Sequence, residues 1–170
     1  MAPQKNKLIV FIGKPGVGKS TLISSFFSGA EIVDVMPYVK KHKKKGKIPE
    51  AETIHAYREM YEYLNNSRPG GNLVLELGTN HPELNANELK RLKEKFILKI
   101  FLCDAPKHVC RERAENRGRK FDKKALLLRL ERDFPNSHTG FFGEKGMKFH
   151  VLDMTRSLKE IKSKVSELLY

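Results

Sequence analysis

Two hydrophobic patterns alternate along this chain. Short apolar runs at residues 8–12, 31–34, 73–77, 97–103 and 149–152 have strand length, and several lack a polar face, as in strands buried on both sides. Between them, apolar residues recur at helical spacing over about 19–28, 52–64, 86–95, 106–116, 123–134 and 158–169. The sixth of these helices repeats Ile161, Val165 and Leu168, and the fifth carries Ala125, Leu126 and Leu130. Strands alternating with helices predict βαβ units: an α/β fold with a parallel sheet covered on both faces.

The punctuation agrees with this reading. Pro106 can open a helix because a first-turn proline loses no intrahelical bond. The stretch Asn65-Asn66-Ser67-Arg68-Pro69-Gly70-Gly71 is a strong breaker, residues 118–121 read as a loop, and 135–146, rich in glycine and aromatics, as an irregular turn region. No repeat and no linker divides the chain, so residues 1–170 read as one domain.

Composition narrows the partners. Hydrophobic residues make up 39% and charged residues 31%, and no apolar run reaches the roughly 20 residues of a spanning helix, so no membrane is expected. The apolar start leads straight into a glycine loop without a cleavage site and reads as a strand. Cys103 and Cys110 lack metal-site spacing, which fits a reducing cytoplasm. The formal net charge of +13 favours anionic partners such as nucleotides, phosphorylated metabolites or nucleic acid.

One motif carries chemistry. Gly13-Lys14-Pro15-Gly16-Val17-Gly18-Lys19-Ser20 meets the pattern GxxxxGK(S/T) between a strand and a helix, the context it requires. Glycines let backbone N–H groups turn inward as an anion nest, the helix opened by Lys19, Ser20 and Thr21 adds its positive end, Lys19 reaches the β and γ phosphates, and Ser20 holds Mg²⁺. ATP and Mg²⁺ are the expected ligands. There is neither a DxxG switch after the third strand nor an NKxD guanine reader, which argues against a GTPase.

Arginines cluster further on: Arg111, Arg113, Arg117, Arg119, Arg129 and Arg132. Phosphoryl transfer relies on cations that hold and neutralise the moving group, and guanidinium forks suit that task. Arg111 and Arg119 read rather as a solvated helix face with Glu112 and Glu115, in local ion pairs, whereas Arg117 and Arg129 read as functional. Asp34 and Glu76 end the second and third strands, where ligands of open α/β sheets bind, and either can orient an acceptor hydroxyl or hold metal water.

The run DAPKHVCRERAENRGRKFD, with Arg129 seven residues beyond it, resembles the lid segment of nucleoside and nucleotide kinases related to adenylate kinase, with a short lid like that of gluconate and shikimate kinases. The resemblance implies a P-loop three-layer αβα fold with strand order 2-3-1-4-5, an acceptor-side insert at about 35–66 and a lid at about 117–129. It implies an ATP-dependent kinase, with Arg113 against the adenine and Arg117 and Arg129 on the phosphates. Leu152-Asp153-Met154-Thr155 resembles the family loop beside the adenine. Asp34 and Arg58, in His55-Ala56-Tyr57-Arg58, resemble the aspartate and arginine that grip the small acceptor.

The segment Glu76-Leu77-Gly78-Thr79-Asn80-His81 matches neither the Asp-Gly-Phe-Pro-Arg run of adenylate kinases nor the glycine pair of shikimate kinases, so the acceptor stays open between a small molecule and a nucleotide. Six lysines between Lys40 and Lys47 read as a solvated loop or as a docking surface for nucleic acid. Three functions follow: a small-molecule or nucleotide kinase first, a kinase of nucleic-acid 5′-hydroxyls second, a non-catalytic ATP-binding switch third. His81 reads as a turn residue that could also touch an acceptor, Phe141 and Phe142 as packing residues, and the chain as a monomer.

Overall fold

A computed structural model describes residues 4–43, 50–68, 70–118 and 122–170. Arg119 and residues 44–47 of the lysine-rich segment lie outside the described residues.

Five strands form one parallel sheet: β1 (Lys7–Gly13), β2 (Glu31–Asp34), β3 (Leu73–Leu77), β4 (Ile97–Asp104) and β5 (His150–Asp153). Their order is β2-β3-β1-β4-β5, as the resemblance implies. β1 is central and alternates its side chains between two cores. Leu8, Val10 and Ile12 join a cluster with Met60 and Tyr61 of α3 (Glu50–Asn66), Leu89 of α4 (Pro82–Leu92) and Phe142 of α7 (Asn136–Glu144). Ile9 and Phe11 face Leu22 of α1 (Lys19–Phe26), Cys110 of α5 (Lys107–Glu115), Leu130 of α6 (Lys123–Leu130) and Val165 of α8 (Leu158–Leu169). All five of these β1 residues are essentially inaccessible, and each contributes about 1.5–3 kcal/mol by leaving water. Helices therefore cover both faces, the three-layer arrangement expected from the pattern.

Differences from the sequence reading have identifiable causes. Residues 136–144 form a helix, not an irregular turn, because His138 and Phe142, four apart, are both fully buried on one face; that burial outweighs the poor propensity of Gly140 and Gly143. α4 starts at Pro82 rather than near residue 86, since His81 at φ 51° turns the chain and Pro82 can occupy the first turn. α6 stops at Leu130, short of 134. A six-residue helix, α2 (Met36–Lys41), occupies part of the basic stretch, with Val39 packed into the core beside α3.

Candidate functional site

The site is built where strands end and helices begin. β1 delivers Gly13, and the chain must turn back into α1 within a few residues. Gly16 at φ 78° and Gly18 at φ 106° make that turn, in backbone regions that side chains disfavour. Gly16 also lies against α5: a β-carbon there would stand 2.1 Å from the carbonyl oxygen of Cys110. A β-carbon at Gly13 would likewise stand 2.7 Å from the carbonyl oxygen of Cys103 in β4, so at these two positions there is space for backbone only.

Lys19 is folded back into this loop. Its ammonium donates to the carbonyl oxygens of Gly13, at 2.7 Å, and Lys14, at 3.2 Å, and it is only 9% exposed. Burial pulls its pKa below the ordinary lysine value, against the opposing pull of Cys103 and Glu76. Among the described residues it has no carboxylate within ion-pair distance. A buried cation without an anion is costly, and an incoming phosphate supplies one.

One position on, Ser20 Oγ donates to Glu76 Oε1 at 2.7 Å. β3 lies beside β1, with Phe11 paired to Glu76, so the carboxylate ending β3 meets the hydroxyl opening α1. Asp34 pairs in register with Glu76 on the next strand, and its Oδ1 accepts from the amide of Met36. The two sequence-predicted carboxylates are therefore neighbours along the carboxyl edge of the sheet.

On the other flank Arg113 braces the loop. Its guanidinium donates to the carbonyls of Val17 and Met154, each at 3.0 Å, tying the phosphate loop to the turn after β5. Arg113, Arg117, Thr21, Met154 and Leu158 line a cavity of about 230 Å³ against Gly16 and Gly18. Its apolar wall and arginine rim suit a flat base joined to phosphates. A cavity of about 610 Å³ opens at the amino-terminal end of the strands beside Lys7, Phe26 and Leu73, remote from this loop.

Tyr57, to which the sequence assigns no role, joins several of the predicted residues. Tyr57 of α3 is 2% exposed, and its phenol pKa is pushed up to about 12 by burial, with lesser influences from the charges of Arg132, Asp34 and Arg129 and a hydrogen bond with the Asn80 side chain. Arg132 reaches Thr79 Oγ1 at 3.5 Å and, with Thr79, Asn80 and Ser137, lines a cavity of about 280 Å³. Arg129 and Arg132 make no ion pair among the described residues. Arg58, next to Tyr57, is exposed and unpaired among those residues. The signal for Tyr57 lay in its place four residues before Tyr61 on the buried face of α3, which by itself says core rather than site.

Arg111 pairs with Glu115 at 3.0 Å on the outer face of α5, the solvated reading of that residue. His81 turns the chain and bonds Thr53 Oγ1 at 3.1 Å. Phe142 is a core residue and Phe141 packs against it. Within the basic stretch, His42 lies between Glu52 and Glu59, and Lys41 stands 4.0 Å from Glu59. No helix among the described residues is long and apolar enough to cross a membrane.

A loop that can take a triphosphate, at the carboxyl end of a parallel sheet ordered 2-3-1-4-5, defines a P-loop nucleotide-binding protein. The AAA domain family matches residues 8–132, and the chain belongs to that family. No curated protein sequence matches it. Among solved structures it is similar to a shikimate kinase from Acinetobacter baumannii in complex with shikimate, at 17% identity over 96% of this chain and 93% of that one, with a TM-score of 0.64. A gluconokinase from Sinorhizobium meliloti 1021 aligns at 15% identity over 99% and 98%, with a TM-score of 0.63. The deoxyadenosine kinase of M. mycoides with bound dATP aligns at 16% identity over 95% and 98%, with a TM-score of 0.60. The resemblance to P-loop nucleoside, nucleotide and small-molecule kinases is borne out in the fold.

Proposed function

We propose that this protein is an ATP-dependent kinase that transfers the γ-phosphoryl group to a hydroxyl of a small anionic molecule or nucleotide. The observation that carries the reading is the 2.7 Å hydrogen bond between Ser20 and Glu76, one residue beyond the loop-bound ammonium of Lys19. Hydroxyl and carboxylate oxygens side by side are the donor set a hard divalent cation prefers, so the pair fits Mg²⁺. Held there, Mg²⁺ would supply positive charge to offset that of the triphosphate.

The chain's own groups divide the remaining tasks. Lys19 and the loop amides hold the phosphates, and Arg113 fixes the loop against the base cavity. Glu76 is committed to Ser20, which leaves Asp34, beside Tyr57, to accept the proton of the acceptor hydroxyl. The acceptor oxygen bonds to the γ phosphorus, the bond to the β-bridging oxygen breaks, and ADP leaves. Arg117 and Arg129 hold the transferring group. Arg132, without a carboxylate partner among the described residues, meets a carboxylate or phosphate of the acceptor in the cavity beside Thr79 and Asn80. Two solved structures of similar fold, which hold shikimate and dATP, support a small-molecule or nucleotide ligand for this fold. Acids flank Lys41 and His42, so the described part of the basic stretch does not favour the nucleic-acid reading.

The test is release of ADP from Mg-ATP against nucleoside monophosphates, nucleosides, sugar acids and 5′-hydroxyl oligonucleotides, with Lys19→Ala as blank. Stimulation by one anionic small-molecule class is the expected result. Ordinary ATP binding with no stimulation by any acceptor would overturn the kinase reading in favour of a switch.

A further inference from the structure

Lys14 occupies a position of the phosphate loop for which the proposed chemistry needs backbone only, yet its side chain is placed with care. It is 9% exposed, and its ammonium donates at 2.9 Å to the carbonyl oxygen of Leu130, 116 residues away. Leu130 is the last residue of α6 and is 1% exposed. Helix ends leave their final carbonyls without intrahelical donors, and a buried one must find a partner. Of the neighbouring carbonyls, those of Leu127 and Arg129 receive the amide of Glu131, and that of Arg129 also the amide of Arg132. Leu130 relies on Lys14.

The bond lies between the two arginines assigned to the transferring group and the acceptor. Arg129 precedes Leu130, and Arg132 follows it by two residues and reaches Thr79. At its other end, the Lys14 carbonyl receives Lys19, the residue that meets the phosphates. A short chain of contacts thus runs from Lys19 through Lys14 to the end of α6. The cation also complements the negative end of that helix.

We infer that Lys14 is a positioning residue: it fixes the carboxyl end of α6 to the phosphate loop, so that a loop set for the donor also sets Arg129 and Arg132 at the right distance from it. The inference rests on the kinase reading for its effect on turnover, but the contact can be tested apart from it. Lys14 makes no use of a phosphate in this scheme, so its loss falls on turnover and not on donor affinity.

The experiment compares Lys14→Met, which keeps the length and the apolar stem, and Lys14→Arg, which keeps a donor, in the wild-type and Arg129→Ala backgrounds. Expected for Lys14→Met are a fall in kcat of at least about ten-fold, a KM for ATP within about two-fold of wild type, partial recovery in Lys14→Arg, and no further loss when Arg129 is already alanine. An equal loss in the Arg129→Ala background, or a raised KM for ATP at unchanged kcat, overturns the inference. If the wild type transfers phosphate to no acceptor, the kinase reading fails and amide hydrogen exchange decides the contact. Faster exchange confined to residues 130–134 in Lys14→Met upholds the contact; unchanged exchange there, or a rise throughout the chain, refutes it.

Discussion

Ser20 Oγ donates to Glu76 Oε1 at 2.7 Å, joining the helix that follows the phosphate loop to the strand beside it. Fifty-six residues separate the two in sequence, and the parallel pairing of β1 with β3 brings them together. In the proposed scheme this pair receives the metal ion. Glu76→Gln keeps the shape and removes the charge. Turnover should fall by about 10²-fold or more, the scale at which loss of one preorganised electrostatic contact is felt. ATP binding should tighten with added Mg²⁺ in the wild type and lose that dependence in the variant; an unaltered Mg²⁺ titration would remove Glu76 from the metal site.

Gly16→Ala should be far more damaging than a change at a glycine with open space around it. The residue has φ 78°, and its new methyl would sit 2.1 Å from a backbone oxygen of α5. We expect a stability loss on the order of 1–3 kcal/mol from the backbone alone, and no measurable ATP binding. Gly29→Ala is the control: its φ is 85° but nothing lies within 4 Å, so ATP binding should survive. Isothermal titration of both variants decides the point.

Arg113 holds two backbone carbonyls from different parts of the chain. Removing a charged donor from two such acceptors should cost about 1.5–3 kcal/mol of stability per bond at most. Arg113→Ala should therefore lower the melting temperature and weaken ATP binding together. Addition of ATP should recover part of the lost thermal stability, since a ligand that binds only the folded state stabilises it. A variant that melts like wild type would show the two bonds to be dispensable.

His138 makes stability depend on pH. Burial among Phe134 and Phe142, aided by nearby Arg132, holds its imidazole down to about 4. The unfolded chain takes up this proton near 6.5 and the folded one near 4, so between those values the unfolded state binds more protons. Stability then falls as pH drops through that window, by up to about 3 kcal/mol at its lower end. His138→Leu should flatten the fall. Urea unfolding at pH 7 and pH 4.5 measures it, and an identical drop in both proteins would assign the acid sensitivity to other groups.

The fold was legible where the pattern was local and dense. Leu8 through Ile12 had to be a buried strand because nothing in the run could face water, and Gly13 to Ser20 had to be a turn open to an anion because the glycines leave the backbone bare. The same holds for Asp34 and Glu76 as strand-ending acids. Elements whose formation depends on distant partners were not legible. α7 exists because His138 and Phe142 find a core to enter, and α6 ends at Leu130, whose carbonyl is held by a lysine of another segment.

The sequence by itself determined the α/β class, the phosphate loop and the arginine-rich segment, because each is written in neighbouring residues whose spacing states its own chemistry. Only the tertiary structure decided which groups share a site. It placed Glu76 on Ser20, brought Asp34, Arg129 and Arg132 within electrostatic reach of Tyr57, and tied Lys14 to Leu130. Those relations follow from sheet order and helix packing, which are set by burial summed over the whole chain and not by any short run within it.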